Sequence, residues 1–125
     1  MANSKQIPIE ELLRLFVDFN ELRDRITQED KLKALDGNLE AITKIAEIYW
    51  NGVNGNDIQV DRYSAVNLLN YCHSNGFANA TADLAVVKLS GEFGPRDQQG
   101  AINLLKQAAA QGCEFAVKKL NEMGI

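Results

Sequence analysis

Cys72 and His73 adjoin in this 125-residue sequence, and a thiol beside an imidazole is the pairing used for nucleophilic acyl transfer. That chemistry needs the sulfur and a ring nitrogen within hydrogen-bond reach. Adjacent residues on a helix point about 100° apart, and His73 is the only histidine, so no second imidazole can act as the base. Cys72 is expected in a core and His73 near a helix end. The oxygen-rich stretch Asn51–Asp61 contains Gly55 and invites comparison with a calcium loop. Placing Gly55 at the sixth loop position puts Trp50 where the first carboxylate belongs and Gly52 where a side-chain ligand belongs, so a turn built from Asn and Gly is expected instead. Two separated cysteines and one histidine are too few for a zinc site. The run Gly91-Glu92-Phe93-Gly94 lacks the Gly-Lys-Ser/Thr ending of a phosphate loop. The carboxylate pairs Glu10–Glu11, Asp18–Glu21 and Glu29–Asp30 lie among Arg14, Arg23, Arg25, Lys31 and Lys33, which reads as a solvated helix face. No catalytic residue, metal or cofactor is therefore expected, and the chain is not expected to be an enzyme.

Charge narrows the partner. The sequence carries 13 Lys and Arg against 17 Asp and Glu, a net charge of −4, and the excess lies early: residues 1–40 hold six basic and nine acidic side chains, residues 81–125 five of each. Nucleic-acid affinity depends on Lys and Arg neutralising phosphates, so a nucleic-acid role is not expected; an acidic chain suits a basic protein partner. Residues 1–13 reach Glu10 and Glu11 before any apolar run, unlike a secretory signal, and the apolar stretches, such as Leu84–Val87, are far short of the roughly 20 residues that span a bilayer. A cytoplasmic chain with reduced, buried Cys72 and Cys113 is expected. With 46% hydrophobic residues it is rich enough in apolar side chains for one packed core.

The elements that would position any site come from an internal repeat. Asp61, Ala65, Leu68–Leu69, Gly76, Ala80 and Leu84 recur as Asp97, Ala101, Leu104–Leu105, Gly112, Ala116 and Leu120 at an offset of 36. One step earlier, Gly37, Ala41, Ile45, Ala46 and Gly52 match Gly76, Ala80, Leu84, Ala85 and Gly91 at an offset of 39, with the three extra residues in the stretch after Gly52. Ala41, Ile45, Ile48 and Tyr49, then Ala65, Leu68, Leu69 and Cys72, have helical spacing, so each unit is expected to be two helices. Gly52 and Gly91 should stop the first helix, Asp61 and Asp97 cap the second, and Gly76 and Gly112 end it. Ala41, Ala65, Ala80, Ala101 and Ala116 should be packing residues, since small side chains let helix axes approach closely.

This arrangement resembles the Sel-one-like repeat, a tetratricopeptide-related helix pair of the form Ala-x3-Leu-Ala-x2-Tyr, a Gly-rich turn, Asp-x3-Ala-x2-Leu and a closing Gly. Ala41-x3-Ile45-Ala46-x2-Tyr49 with Asp61-x3-Ala65-x2-Leu68, and Ala80-x3-Leu84-Ala85 with Asp97-x3-Ala101-x2-Leu104, carry the resemblance over residues 37–123. Lys88 stands where the motif has an aromatic, Phe93 replaces a turn glycine, and a third unit stops after one helix near Met123. The resemblance implies a right-handed superhelix of antiparallel helix pairs used for protein–protein contact, with repeats at 37–75 and 76–111 and a half repeat at 112–123 within residues 37–125. Together with an N-terminal cap over residues 1–36, an all-α fold of about seven helices in one compact domain is expected, the size of the chain being that of one ordinary domain.

Residues 1–36 do not follow the repeat. Pro8, Glu10 and Glu11 favour a helix start, and Ile9, Leu12, Leu13, Phe16, Phe19, Leu22 and Ile26 form one apolar stripe. A long first helix is expected, followed by a short second one over about 28–36 started by the capping pair Thr27 and Asp30, the alternative being a single bent helix; either would cover the end of the repeat stack. On the first helix of each repeat, the side chains that miss the core stripe are the candidate protein contacts: Glu40, Thr43, Lys44, Glu47 and Trp50, with Asn79, Ala82, Asp83, Val86 and Leu89 as counterparts and Asp83 foremost among them. Trp50 is the only tryptophan and the residue type most over-represented at interface hot spots, yet it is equally suited to wedging between units. The function expected is a protein-binding module, monomeric or weakly dimeric, the leading form being an immunity-type protein that neutralises a basic toxin; the alternative is a regulatory adaptor or scaffold subunit of a cytosolic complex.

Overall fold

The computed structural model describes residues 28–51 and 62–125. The described residues form six helices and no strand: α1 Gln28–Leu35, α2 Leu39–Asn51, α3 Arg62–Ser74, α4 Ala78–Ser90, α5 Gln98–Ala110 and α6 Glu114–Glu122. The chain divides into two compact units at Asn75 and Gly76. The expected long first helix, the Gly52 stop, the Asp61 cap and the Asn/Gly turn lie outside the described residues.

In the first unit α2 and α3 form the principal pair, with α1 packed on α2. The pair is antiparallel: Cys72 near the end of α3 donates its S–H to the Leu39 carbonyl at the start of α2 at 3.5 Å, while Arg62 at the start of α3 meets Trp50 near the end of α2. The buried surface of α2 is Ala41, Ile42, Thr43, Ile45, Ala46, Ile48 and Tyr49, and that of α3 is Ser64, Ala65, Leu68, Leu69 and Cys72. These include every residue of the two apolar spacings read from the sequence. Lys31 of α1, grouped by sequence with a solvated face, is instead 2% exposed and makes contacts of its own. Its neighbour Lys33 does lie outward, 3.5 Å from Glu29 one turn before it. A buried ammonium is retained only where it is engaged, which sequence charge counting cannot foresee.

In the second unit α4 packs on α5 and α5 on α6. Ala82, Ala85, Ala101, Leu105, Ala108, Cys113 and Ala116 form its core, with Leu89, Leu104, Leu120 and Met123 packed at the margin. All five alanines of the repeat pattern, Ala41, Ala65, Ala80, Ala101 and Ala116, are buried, at most 3% exposed. Where α2 buries Tyr49, α4 carries Lys88, whose ammonium stays exposed and lies 3.8 Å from the Asp97 carboxylate.

The turns repeat in backbone terms. Gly37 and Gly112 both have φ 94°, Gly76 has φ 86°, and in the first two cases the following residue closes the helix end: Asn38 N–H to Lys33 C=O at 2.9 Å and Cys113 N–H to Ala108 C=O at 3.0 Å. Such a left-handed residue satisfies the last helical carbonyls, and only glycine adopts it without steric cost. Gly91 ends α4 in the same region, with φ 71°. Asp97 caps α5, its carboxylate accepting the Gly100 N–H at 2.8 Å. Asp97→Ala removes this cap and the Lys88 contact, and is expected to lower unfolding free energy by about 1 kcal/mol, read as a reduced urea midpoint; an unchanged midpoint would show the α5 start to be held by packing alone.

Candidate binding surface

Exposed residues on α2 recur at Glu40, Lys44, Glu47 and Asn51, steps of four, three and four that place them along one edge of the helix. The edge is ordered locally. Asn38 accepts the Ala41 N–H at 2.8 Å and so caps α2, and Asn51 donates its amide to the Glu47 carbonyl at 3.0 Å at the other end. Lys44 reaches back to Asp30 of α1, with 3.1 Å between ammonium and carboxylate. Asp30, Lys33, Asn38, Glu40, Ala41 and Lys44 line a small polar cleft of about 180 Å³ there.

Trp50 lies three residues beyond Glu47 and is half-buried. The Arg62 guanidinium sits over its ring, 4.5 Å from the centroid, a cation–π stack worth about 0.5–1 kcal/mol at a partly exposed site. Tyr63, the next residue, is 69% exposed. Sequence reading missed Arg62 and Tyr63 because they belong to the second helix of the pair. The available signal was their place at the start of that helix, beside the end of α2 that carries Trp50.

Of the candidate contacts, Glu40, Lys44 and Glu47 are exposed and Trp50 half-buried, all on α2. Thr43 is different: it is 5% exposed, and its hydroxyl has no hydrogen-bond partner among the described residues. Its counterpart Ala82 is 1% exposed. Neither side chain offers surface. Both sit one helical step inside the exposed edge, where the buried stripe is wider than a strict spacing of three and four implies. Asp83 belongs to the second unit, on α4, and is half-buried.

Cys72 is fully buried and bonds to the Leu39 carbonyl; Cys113 is 5% exposed and donates to the Asn79 side-chain oxygen at 3.3 Å; both thiols are free. His73 lies in the last turn of α3. Among the described residues no three His, Cys, Asp or Glu side chains gather as metal ligands, and no helix is long and apolar enough to cross a membrane.

Burial pushes the Tyr71 phenol above its ordinary value of 10.0, and the charge of neighbouring Cys72 adds to the effect. The folded state thus holds the phenolic proton more tightly than the unfolded chain does. The resulting stability is fully present below about pH 10 and is lost as pH rises through the folded value. Urea titrations between about pH 9 and about pH 11 should show a fall in unfolding free energy that is shallower in Tyr71→Phe; equal slopes in both proteins would remove Tyr71 as the cause.

Compared with known proteins, the chain matches no family model, no curated protein and no solved structure.

Proposed function

We propose that this chain is a non-catalytic protein-binding module, with its helix pairs arranged as Sel-one-like repeats in a right-handed solenoid whose first helices line the contact face, and with residues 1–36 covering the end of the stack. The observation that carries the binding reading is the α2 edge: an exposed row of charged side chains ending at the Trp50–Arg62 stack, with the highly exposed Tyr63 next in the chain. Trp, Tyr and Arg are the residue types that most often dominate interface energies. The buried, hydrogen-bonded thiols support the same reading, since they leave Cys72 and Cys113 to packing.

The acidic balance of the chain favours a basic partner. In the immunity-type form of this proposal, the partner is a basic toxin that the chain covers and neutralises in the cytoplasm. The test is capture with the full-length chain from cells that produce it. A basic protein retained in fixed stoichiometry and inhibited on binding is the expected result. Retention of a multi-subunit assembly, with no protection of cells against any toxin, would replace neutralisation by an adaptor role, and failure to retain any protein would remove the binding reading itself.

A further inference from the structure

We propose that the outer edge of α2, together with the Trp50–Arg62 stack and Tyr63, docks a basic peptide segment that carries an apolar anchor. This rests on the protein-binding reading and identifies the surface and the chemistry of what lies on it. Three observations converge.

The first is how the charges are matched. Glu40 and Glu47 on α2, and Asp36 in the turn before it, are exposed and form no ion pair among the described residues. The lysines nearby are already engaged, Lys33 with Glu29 and Lys44 with Asp30. The charge left over along this edge is negative, although the first unit's described residues are close to balanced in composition. Such an edge repels phosphates and anionic lipid headgroups and attracts Lys or Arg.

The second is spacing. Glu40 and Glu47 are seven residues apart, two turns or about 10.5 Å along the helix, which suits two cationic side chains of one extended or helical segment. The third is the apolar end. Glu47 and Trp50, three residues apart, are neighbours on the helix surface, and the guanidinium over the indole holds that ring in one orientation. Tyr63, one residue after Arg62 and so at the same end of the antiparallel pair, is a large aromatic side chain, 69% exposed, with little side-chain entropy to lose. An acidic edge adjoining an aromatic end fits a segment whose basic residues are followed by an apolar one.

The experiment uses the full-length chain, isotopically labelled, with a synthetic peptide of alternating Arg, Lys and Leu as the probe and an acidic peptide of the same length as the control. Amide shifts should concentrate at residues 36–51 and at Arg62 and Tyr63. Affinity should fall about tenfold between about 50 mM and about 500 mM salt, because screening weakens exposed charge pairs. The double variant Glu40→Gln/Glu47→Gln should bind at least about fivefold more weakly, and Tyr63→Ala about tenfold more weakly. Glu40 and Glu47 are exposed and form no ion pair among the described residues, so helical content and melting temperature of the double variant should stay at parental values; Glu47→Lys supplies an independent charge test. Shifts that map elsewhere, undiminished binding by the double variant and by Glu47→Lys, or equal binding of the acidic peptide would each overturn the proposal. A captured natural partner that binds the double variant and Tyr63→Ala with parental affinity would overturn this surface while leaving the protein-binding reading in place.

Discussion

Leu105→Ala is expected to lower the unfolding free energy by about 3 kcal/mol. Leu105 is fully buried, and the buried side chains around it are Ala82, Ala85, Ala101, Ala108, Cys113 and Ala116. Alanines cannot extend into the space that a deleted isobutyl group leaves, so the cavity term adds to the lost transfer energy. Leu104, Leu120 and Met123 at the margin can move part of the way inward, which keeps the estimate in the middle of the usual range of about 2–5 kcal/mol. Circular dichroism followed through a urea titration measures the loss, and Leu104→Ala, at a partly exposed position, should cost clearly less. Equal losses at the two positions would mean that the core is not centred on Leu105.

Trp50→Ala is expected to weaken binding of the captured partner by about 2 kcal/mol, roughly thirtyfold, while the helices persist. Its ring is half-buried and carries Arg62 on one face, so the substitution also lowers stability, by more than the about 0.5–1 kcal/mol of the stack alone. The two effects separate experimentally. Affinity per folded molecule, measured by calorimetry well below the melting temperature, reports contact; the melting temperature reports packing. Arg62→Lys keeps the charge and loses the planar stack, and should reproduce part of the affinity loss if the guanidinium orients the indole. A large fall in melting temperature with unchanged affinity per folded molecule would make Trp50 a packing residue only.

The positions of the helices were readable because two local rules agreed. Apolar spacing at Ala41–Ile45–Ile48 and Ala65–Leu68–Leu69 marked the buried faces, and Gly76, Gly91, Gly112 and Asp97 marked the ends, at positions whose backbone φ or capping hydrogen bond requires those residue types. The short helix α1 was expected from the capping pair Thr27 and Asp30, with one bent helix as the alternative, and the end of α6 near Met123 from the resemblance to the repeat. Only part of the candidate site could be read so. Glu40, Lys44 and Glu47 were found because exposure on an isolated amphipathic helix follows from periodicity. Thr43 was assigned to the same surface and is buried, and Lys31 was assigned to solvent and is buried. Both depend on what packs over the helix, and periodicity carries no information about that.

The helical segments around Ala41–Tyr49, Ala65–Cys72, Ala80–Ala85, Ala101–Leu105 and Ala116–Leu120, with their small-residue faces and glycine stops, are legible in the sequence because propensity, capping and spacing act within a few residues of each other. The tertiary structure alone decided that Arg62 lies over Trp50 and that Lys44 is matched by Asp30. It therefore also decided which carboxylates of α2 form no ion pair among the described residues. Those relations join side chains on different helices, and their energies depend on distance and solvent exposure, which only the packed chain sets.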